Sequence, residues 1–145
     1  MVGPVPKFDY AAAKAALYAD FPHLFWQRQI PQSSMSYGPA IGPGWYPIIR
    51  ELCVRITKAI DVEDLTDPKA TKWGFAQIKE KYGELRIYGP RDGEGGPIYE
   101  AYEWAEEEAS KTCEVCGRAG DMQVSSRGWY ATTCQPCADE NNNSD

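Results

Sequence analysis

The sequence predicts an α+β fold in which a small β-hairpin or sheet is packed by helices and followed by a cysteine-rich C-terminal module. Three observations lead to this prediction: helical spacing of apolar residues in three segments, a turn signal between two β-favouring runs, and two Cys-x-x-Cys pairs near the C-terminus. Hydrophobic residues make up 43% of the chain, with five Trp, nine Tyr and four Phe, so a buried core can form.

Three segments are expected to be helical, over residues 9–20, 45–60 and 97–110. Asp9 is placed to cap the first helix, whose alanine-rich sequence favours helix. In the second, apolar residues recur every three or four positions, as in a helix with one buried face. The third begins at Pro97 and carries its glutamates away from its apolar stripe.

A β-hairpin is expected over residues 73–80 and 84–89, with the turn at Lys81-Tyr82-Gly83. Gly83 can adopt the positive φ angle that tight hairpin turns require. Because side chains alternate along a strand, Leu85 and Ile87 are expected to share one face.

Two cysteine pairs stand near the end of the chain: Cys113 with Cys116, and Cys134 with Cys137. This spacing is typical of a four-thiolate structural Zn²⁺ site, and predicts a zinc ribbon in which each pair lies on a tight knuckle. An iron–sulfur cluster on the same thiolates stays an alternative. A closed four-cysteine shell has no open position for catalysis, so the metal is expected to hold the C-terminus folded.

The fifth cysteine, Cys53, lies in the second helical pattern and is expected to be a small buried side chain. Cysteines that serve as metal ligands rather than disulfides fit a reducing compartment. No signal peptide and no apolar stretch of membrane-spanning length is apparent. We therefore expect a cytoplasmic protein.

The expected domain organisation has three parts. They are a core domain over residues 1–110, which includes the N-terminal helix and a Pro/Gly-rich loop at 31–44, a zinc ribbon over 111–138, and a disordered tail over 139–145. The tail is asparagine-rich and has nothing to bury.

The chain is acidic, with a formal net charge of −6, and residues 92–114 hold eight acids against the single base Lys111. Such a protein repels phosphate backbones at long range, which disfavours bulk nucleic acid and favours a protein partner. Glu103, Glu106 and Glu107 are the candidate contact residues. Their carboxylates can stand where phosphates would lie, as in a nucleic-acid mimic or inhibitor.

The predicted hairpin holds the densest polar cluster, which is the second candidate binding surface. Its members are Gln77, Lys79, Lys81, Tyr82 and Arg86. A solvated strand face with paired charges is the simpler interpretation of the same residues. No catalytic motif is complete, so a non-enzymatic protein is expected.

Two other functions stay open. A nucleic-acid or nucleotide-binding module would combine the basic and aromatic hairpin residues with Arg118, Arg127 and Trp129. A Mg²⁺-dependent nuclease would use a loosely matching set, namely Glu51, Asp67, Gln77 and Lys79. The glycine-rich loop at 93–96 precedes a helix, where a phosphate could bind, but acidic Asp92 and Glu94 oppose it and an ordinary flexible connection is expected.

Several phrases together resemble a known group of proteins. They are Gly44-Trp45 at a helix start, the hairpin Gln77-Ile-Lys-Glu-Lys-Tyr-Gly-Glu-Leu-Arg-Ile-Tyr88, Ala105-Glu106, Cys113-Glu-Val-Cys-Gly117, and Gly128-Trp129 before Cys134-Gln-Pro-Cys137. The combination is similar to small, mostly uncharacterised bacteriophage and bacterial proteins that end in a zinc ribbon. The resemblance implies a phage or prophage origin and brings no activity with it. Glu84 stands where that pattern would have a second glycine.

Overall fold

The computed structural model describes residues 7–60 and 71–143, without the side chains of 141–143, and its fold class is α+β, as predicted. Most of the segment Asp61–Lys72, which the sequence predicts to be a connecting loop, lies outside the described residues, and so does Asp67. The helices are α1 (Tyr10–Asp20), α2 (Tyr46–Ala59), α3 (Pro97–Ser110) and α4 (Gln135–Asn143). The strands are β1 (Gln77–Lys81), β2 (Glu84–Tyr88), β3 (Asp121–Val124) and β4 (Tyr130–Thr133). Short 3-10 helices cover Trp26–Gln29, Ser34–Tyr37 and Pro43–Trp45.

The three predicted helices are confirmed to within a residue or two. Asp9 caps α1, because its carboxylate accepts a hydrogen bond of 2.9 Å from the Ala12 N–H. Helices α2 and α3 pack against each other and bury the apolar stripes that the periodicity predicted. In the described part of the chain no helix is both long and apolar enough to cross a membrane.

Strands β1 and β2 form the predicted hairpin around a two-residue turn. Lys81 pairs with Glu84, and Tyr82 and Gly83 have φ angles of 53° and 83°, which is the pattern of a type I′ turn. Leu85 and Ile87 are both buried, as expected. The first strand starts at Gln77 rather than at residue 73, because the Phe75 N–H donates to the Leu24 carbonyl at 2.9 Å instead of to a strand partner.

The Pro/Gly-rich loop at 31–44 covers one edge of this hairpin. The Ala40 N–H donates to the Ile78 carbonyl at 2.9 Å, and the Glu80 N–H donates to the Ala40 carbonyl at 3.1 Å. Ala40 thus acts as a one-residue third strand beside β1, which protects that edge from pairing with other chains.

The same loop then contacts the cysteine-rich module directly. The Gly44 N–H donates to the Glu114 carbonyl at 2.6 Å, and the Gly42 N–H donates to the Glu114 carboxylate at 2.8 Å. The indole N–H of Trp45 donates to the Thr112 carbonyl at 2.8 Å. Residues 42–45 therefore form the seat on which the first cysteine pair lies.

The C-terminal module departs from the predicted ribbon in two respects. The second cysteine pair lies at the start of α4 rather than on a second knuckle, and residues 139–143, predicted to be a disordered tail, continue that helix. The Ala138 N–H donates to the Cys134 carbonyl at 3.0 Å, and Gln135 donates to the Asp139 carboxylate at 2.7 Å. The cysteines anchor the first turn of this helix. The helix then continues through the tail, although the residues there are poor helix formers.

Gly44→Ala should lower the free energy of unfolding by about 3 kcal/mol, because the added methyl group would be overpacked. An ideal Cβ on Gly44 would lie 2.0 Å from the Cys113 carbonyl oxygen and 2.5 Å from the Gly117 nitrogen, both backbone atoms. Urea unfolding of the metal-loaded protein measures the effect. Gly93→Ala is the control, since its Cβ would meet nothing within 4 Å. Equal stability of the two variants would contradict the close backbone packing at Gly44.

Candidate metal centre

Four cysteine sulfurs converge in the C-terminal module. The Sγ atoms of Cys113, Cys116, Cys134 and Cys137 all lie within 4.8 Å of one another. The Cys116 and Cys134 sulfurs are 3.6 Å apart, close to the roughly 3.8 Å expected between two ligands at tetrahedral positions around one Zn²⁺. The group can therefore hold a metal ion.

Backbone hydrogen bonds shape the first cysteine pair into a knuckle. The Gly117 N–H donates to the Cys113 carbonyl at 2.9 Å, and the Cys113 N–H donates to the Arg118 carbonyl at 2.7 Å. Gly117 has a φ of 81°, a conformation that favours glycine and lets the chain reverse after Cys116. The second pair is held differently, by the first turn of α4.

The electrostatic repulsion among four closely spaced thiolates favours binding of a cation. Burial opposes ionisation of Cys113, yet hydrogen bonds from backbone N–H groups, including that of Cys116, outweigh it and lower its pKa to about 7. Desolvation and the neighbouring sulfurs raise the pKa of Cys137. Four thiolates at this spacing repel one another, so a bound cation is what lets all of them ionise.

The sulfur spacing also bears on which metal group fits. An iron–sulfur cluster distributes its cysteines over separate irons, which sets the sulfurs farther apart than around one ion. The observed separations fit a single tetrahedral ion. Four protein ligands would fill the coordination shell of such an ion and leave no open position.

Two other groups considered in the sequence have structural roles. Cys53 is buried in the core, where burial raises its pKa, as expected of a small apolar side chain. The loop at 93–96 was expected to be an ordinary connection that does not bind phosphate, and a carboxylate of the chain occupies the start of α3. Asp92 accepts hydrogen bonds from the N–H groups of Ile98 at 3.2 Å and Tyr99 at 2.7 Å.

The hairpin candidates share the outer face of the β1–β2 hairpin, opposite the buried Leu85 and Ile87. The register pairs Gln77 with Tyr88, Lys79 with Arg86 and Lys81 with Glu84. Arg86 forms an ion pair with Glu84 at 2.6 Å, so this face includes paired charges of the kind the simpler interpretation expected. Tyr82 projects from the turn and is 70% exposed.

The acidic candidates on α3 do not form a single surface. Glu103 and Glu107 are exposed on one stripe with Glu100, and Glu107 pairs with Lys111 at 3.6 Å. Glu106 instead faces the hairpin and pairs with Arg91 at 3.2 Å. Burial raises the pKa of Glu106, an effect that Arg91 opposes.

The suggested nuclease set is not gathered into a site by the described residues. Glu51 pairs with Arg55 on the exposed side of α2 at 3.1 Å, whereas Gln77 and Lys79 lie on β1. Within residues 7–60 and 71–143, the four cysteines are the group of metal-binding side chains that converges.

A further surface was not identified from the sequence. Alternation along β3 and β4 puts Met122, Val124 and Tyr130 on the face that meets the turn of the first hairpin, where Tyr82 is exposed. We call Tyr82, Met122, Val124 and Tyr130 the apolar patch. Trp129, 73% exposed, flanks it at the start of β4. The signal in the sequence was a strand pair with apolar residues but no neighbouring helix to cover it.

Metal-free protein should bind one Zn²⁺ per chain, and Co²⁺ in its place should give the absorption of tetrahedral thiolate coordination. Cys137→Ser should weaken Zn²⁺ binding roughly 100-fold, because one of four ligands is lost. Competition with a chromophoric chelator measures both affinities. Cys53→Ala is the control and should keep the stoichiometry. Purified protein that carries iron and inorganic sulfide would contradict the single-ion site.

Models of protein families, curated proteins and solved structures were each compared with the chain, and none of them matches it.

Proposed function

We propose that this chain is a small zinc-bearing interaction protein, encoded by a phage or prophage, which acts without catalysis by binding a host or viral protein in the host cytoplasm. The four cysteines hold a structural Zn²⁺ in this proposal. The apolar patch is the contact surface for the partner. Its exposure is the observation that carries the proposal.

The apolar patch leaves large side chains in water. Tyr82 is 70% exposed, Val124 is 55%, Tyr130 is 51% and Met122 is 44%. Single exposed apolar residues are common, but several side by side favour a binding surface. Tyrosine and methionine suit such a surface, because they offer large contact areas and adapt to a partner.

The backbone of Tyr82 also supports a role in binding. Its φ of 53° is a left-handed conformation that costs a non-glycine residue about 1 kcal/mol. Type I′ turns favour Asn or Gly at this position. A tyrosine here gains no burial in return, since its ring is exposed. The Lys81 ammonium lies 5.8 Å from the centroid of this ring, a cation–π contact that offsets part of the strain. Backbone strain is typical of functional positions.

A metal is suited to holding this surface in place. Strands β3 and β4 bury little apart from Thr132 and Thr133, so they have almost no hydrophobic core of their own. One cysteine pair precedes β3 and the other follows β4, so a shared ion would fix both ends of the hairpin. Zn²⁺ then replaces the missing core beneath the patch.

Tyr82→Asn should raise the free energy of unfolding by about 0.5 to 1 kcal/mol, because asparagine tolerates positive φ. The same variant combined with Val124→Ser should lose the partner. Affinity capture from host-cell lysate, followed by mass spectrometry, compares the variants with the parent protein. Tyr37→Ser is the matched control, since Tyr37 is 81% exposed but lies outside the patch. Capture of the same proteins by the double variant would contradict the assignment.

A second candidate function is binding of single-stranded nucleic acid on the outer face of the first hairpin. The specific observation is the register, which lines up Lys79 with Arg86 and sets Tyr88 beside them. Three bases and one acid, Glu84, occupy this face, whereas the exposed stripe of α3 is acidic. Exposed tyrosines beside cationic side chains can stack on bases and neutralise phosphates.

Fluorescence anisotropy with a labelled single-stranded oligonucleotide tests this second candidate. Binding should weaken as salt rises, and Lys79→Gln should reduce the slope of log K against log salt by about 0.7, the contribution of one phosphate contact to a single strand. Lys58→Gln, an exposed change on α2, is the control. Absence of binding at low salt would remove this candidate.

A further inference from the structure

A cleft of about 270 Å³ opens beside the apolar patch, where β2, α3 and the β3–β4 hairpin meet. Leu85, Met122 and Thr132 supply its apolar wall and floor, and Ser110 stands at the α3 side. Met122 belongs to both the cleft and the apolar patch, so the two form one continuous surface. A partner that covers the patch therefore reaches the cleft.

The charge in this cleft has one sign. Both titratable side chains that line it, Glu84 and Glu106, are carboxylates. Arg86 contacts Oε2 of Glu84 and Arg91 contacts Oε1 of Glu106, and both arginines line a second cleft farther along β2. Each arginine thus contacts one oxygen of its carboxylate, and both glutamates also line the first cleft. A cationic group is complementary to this arrangement.

The backbone of β2 adds directional groups to the same cleft. Because the two-residue turn makes Lys81 and Glu84 a hydrogen-bonded pair, Leu85 and Glu80 form the next, non-hydrogen-bonded pair. The N–H and C=O of Leu85 therefore point away from β1, toward the edge where no strand pairs within the described residues. An extended chain can bind to such an edge through its main chain.

Building on the proposed function, we propose that the partner inserts an extended segment carrying a Lys or Arg next to an apolar residue. The cationic side chain lies between Glu84 and Glu106, the apolar side chain packs on Met122, and the main chain bonds to Leu85. A second copy of this acidic chain is a poorer occupant, because its net charge of −6 opposes self-association. Phosphates are repelled by the two carboxylates.

Selection from a displayed library of random peptides tests this segment. Peptides about ten residues long span roughly 30 Å when extended, which exceeds the length of β2. Selection on the metal-loaded protein should enrich sequences with Lys or Arg beside a large apolar residue. Glu106→Gln and Glu84→Gln should each weaken the selected peptides about tenfold, since each removes one charge-assisted hydrogen bond. Glu100→Gln, the same change on the exposed stripe of α3, should leave affinity unchanged.

The outcomes separate this inference from the proposed function. Peptides that lose affinity with Val124→Ser but not with Glu106→Gln would overturn the cationic segment and leave the apolar patch as a binding surface. Enriched peptides without basic residues would do the same. If no peptide is enriched and lysate capture also fails, both proposals are wrong. If the protein dimerises or binds an oligonucleotide and Glu106→Gln disrupts that binding, the cleft has another occupant and the inference is wrong.

Discussion

The close approach of two backbones, at Gly44 and at the first cysteine pair, is the contact on which the rest of the structure depends. A side chain at Gly44 would collide with backbone atoms of Cys113 and Gly117, so no larger residue leaves the geometry intact. The approach lets the N–H groups of Gly42 and Gly44 bond to Glu114. One short loop thereby determines where the metal centre lies relative to the helical core.

A second contact completes the placement of the module. The Thr132 hydroxyl donates to the Gly83 carbonyl at 2.7 Å, and an ideal Cβ on Gly83 would lie 2.6 Å from the Met122 sulfur. The two hairpins therefore meet at the turn of the first, and this meeting creates both the apolar patch and the adjacent cleft. Neither surface belongs to a single element, and Glu106 of the acidic helix α3 also lines the cleft.

Local signals in the sequence predicted local structure well. The cap at Asp9 and the turn at Gly83 each depend on residues a few positions apart, and both are found as expected. The four cysteines converge, as their spacing predicted, into a group that can hold a metal ion. Hydrogen bonds between distant parts of the chain could not be predicted, because nothing in the sequence of residues 40–45 indicates that they bond to β1 and to Glu114. The second cysteine pair was assigned to a knuckle because the spacing is typical of a zinc ribbon, and the tail was expected to be disordered because it has nothing to bury. Instead a helix begins after Cys134 and continues to Asn143.

The Pro/Gly-rich loop, which hydrogen-bonds to both β1 and the cysteine-rich module, also constrains the order in which the chain folds. Gly42 and Glu114 are 72 residues apart in sequence, and Trp45 and Thr112 are 67 apart. Contacts of such separation form late, since a long loop must close before they add stability. During synthesis, the N-terminal part therefore leaves the ribosome with its seat at 42–45 uncovered. These contacts can be completed only when the segment that carries Thr112 and Glu114 has also emerged.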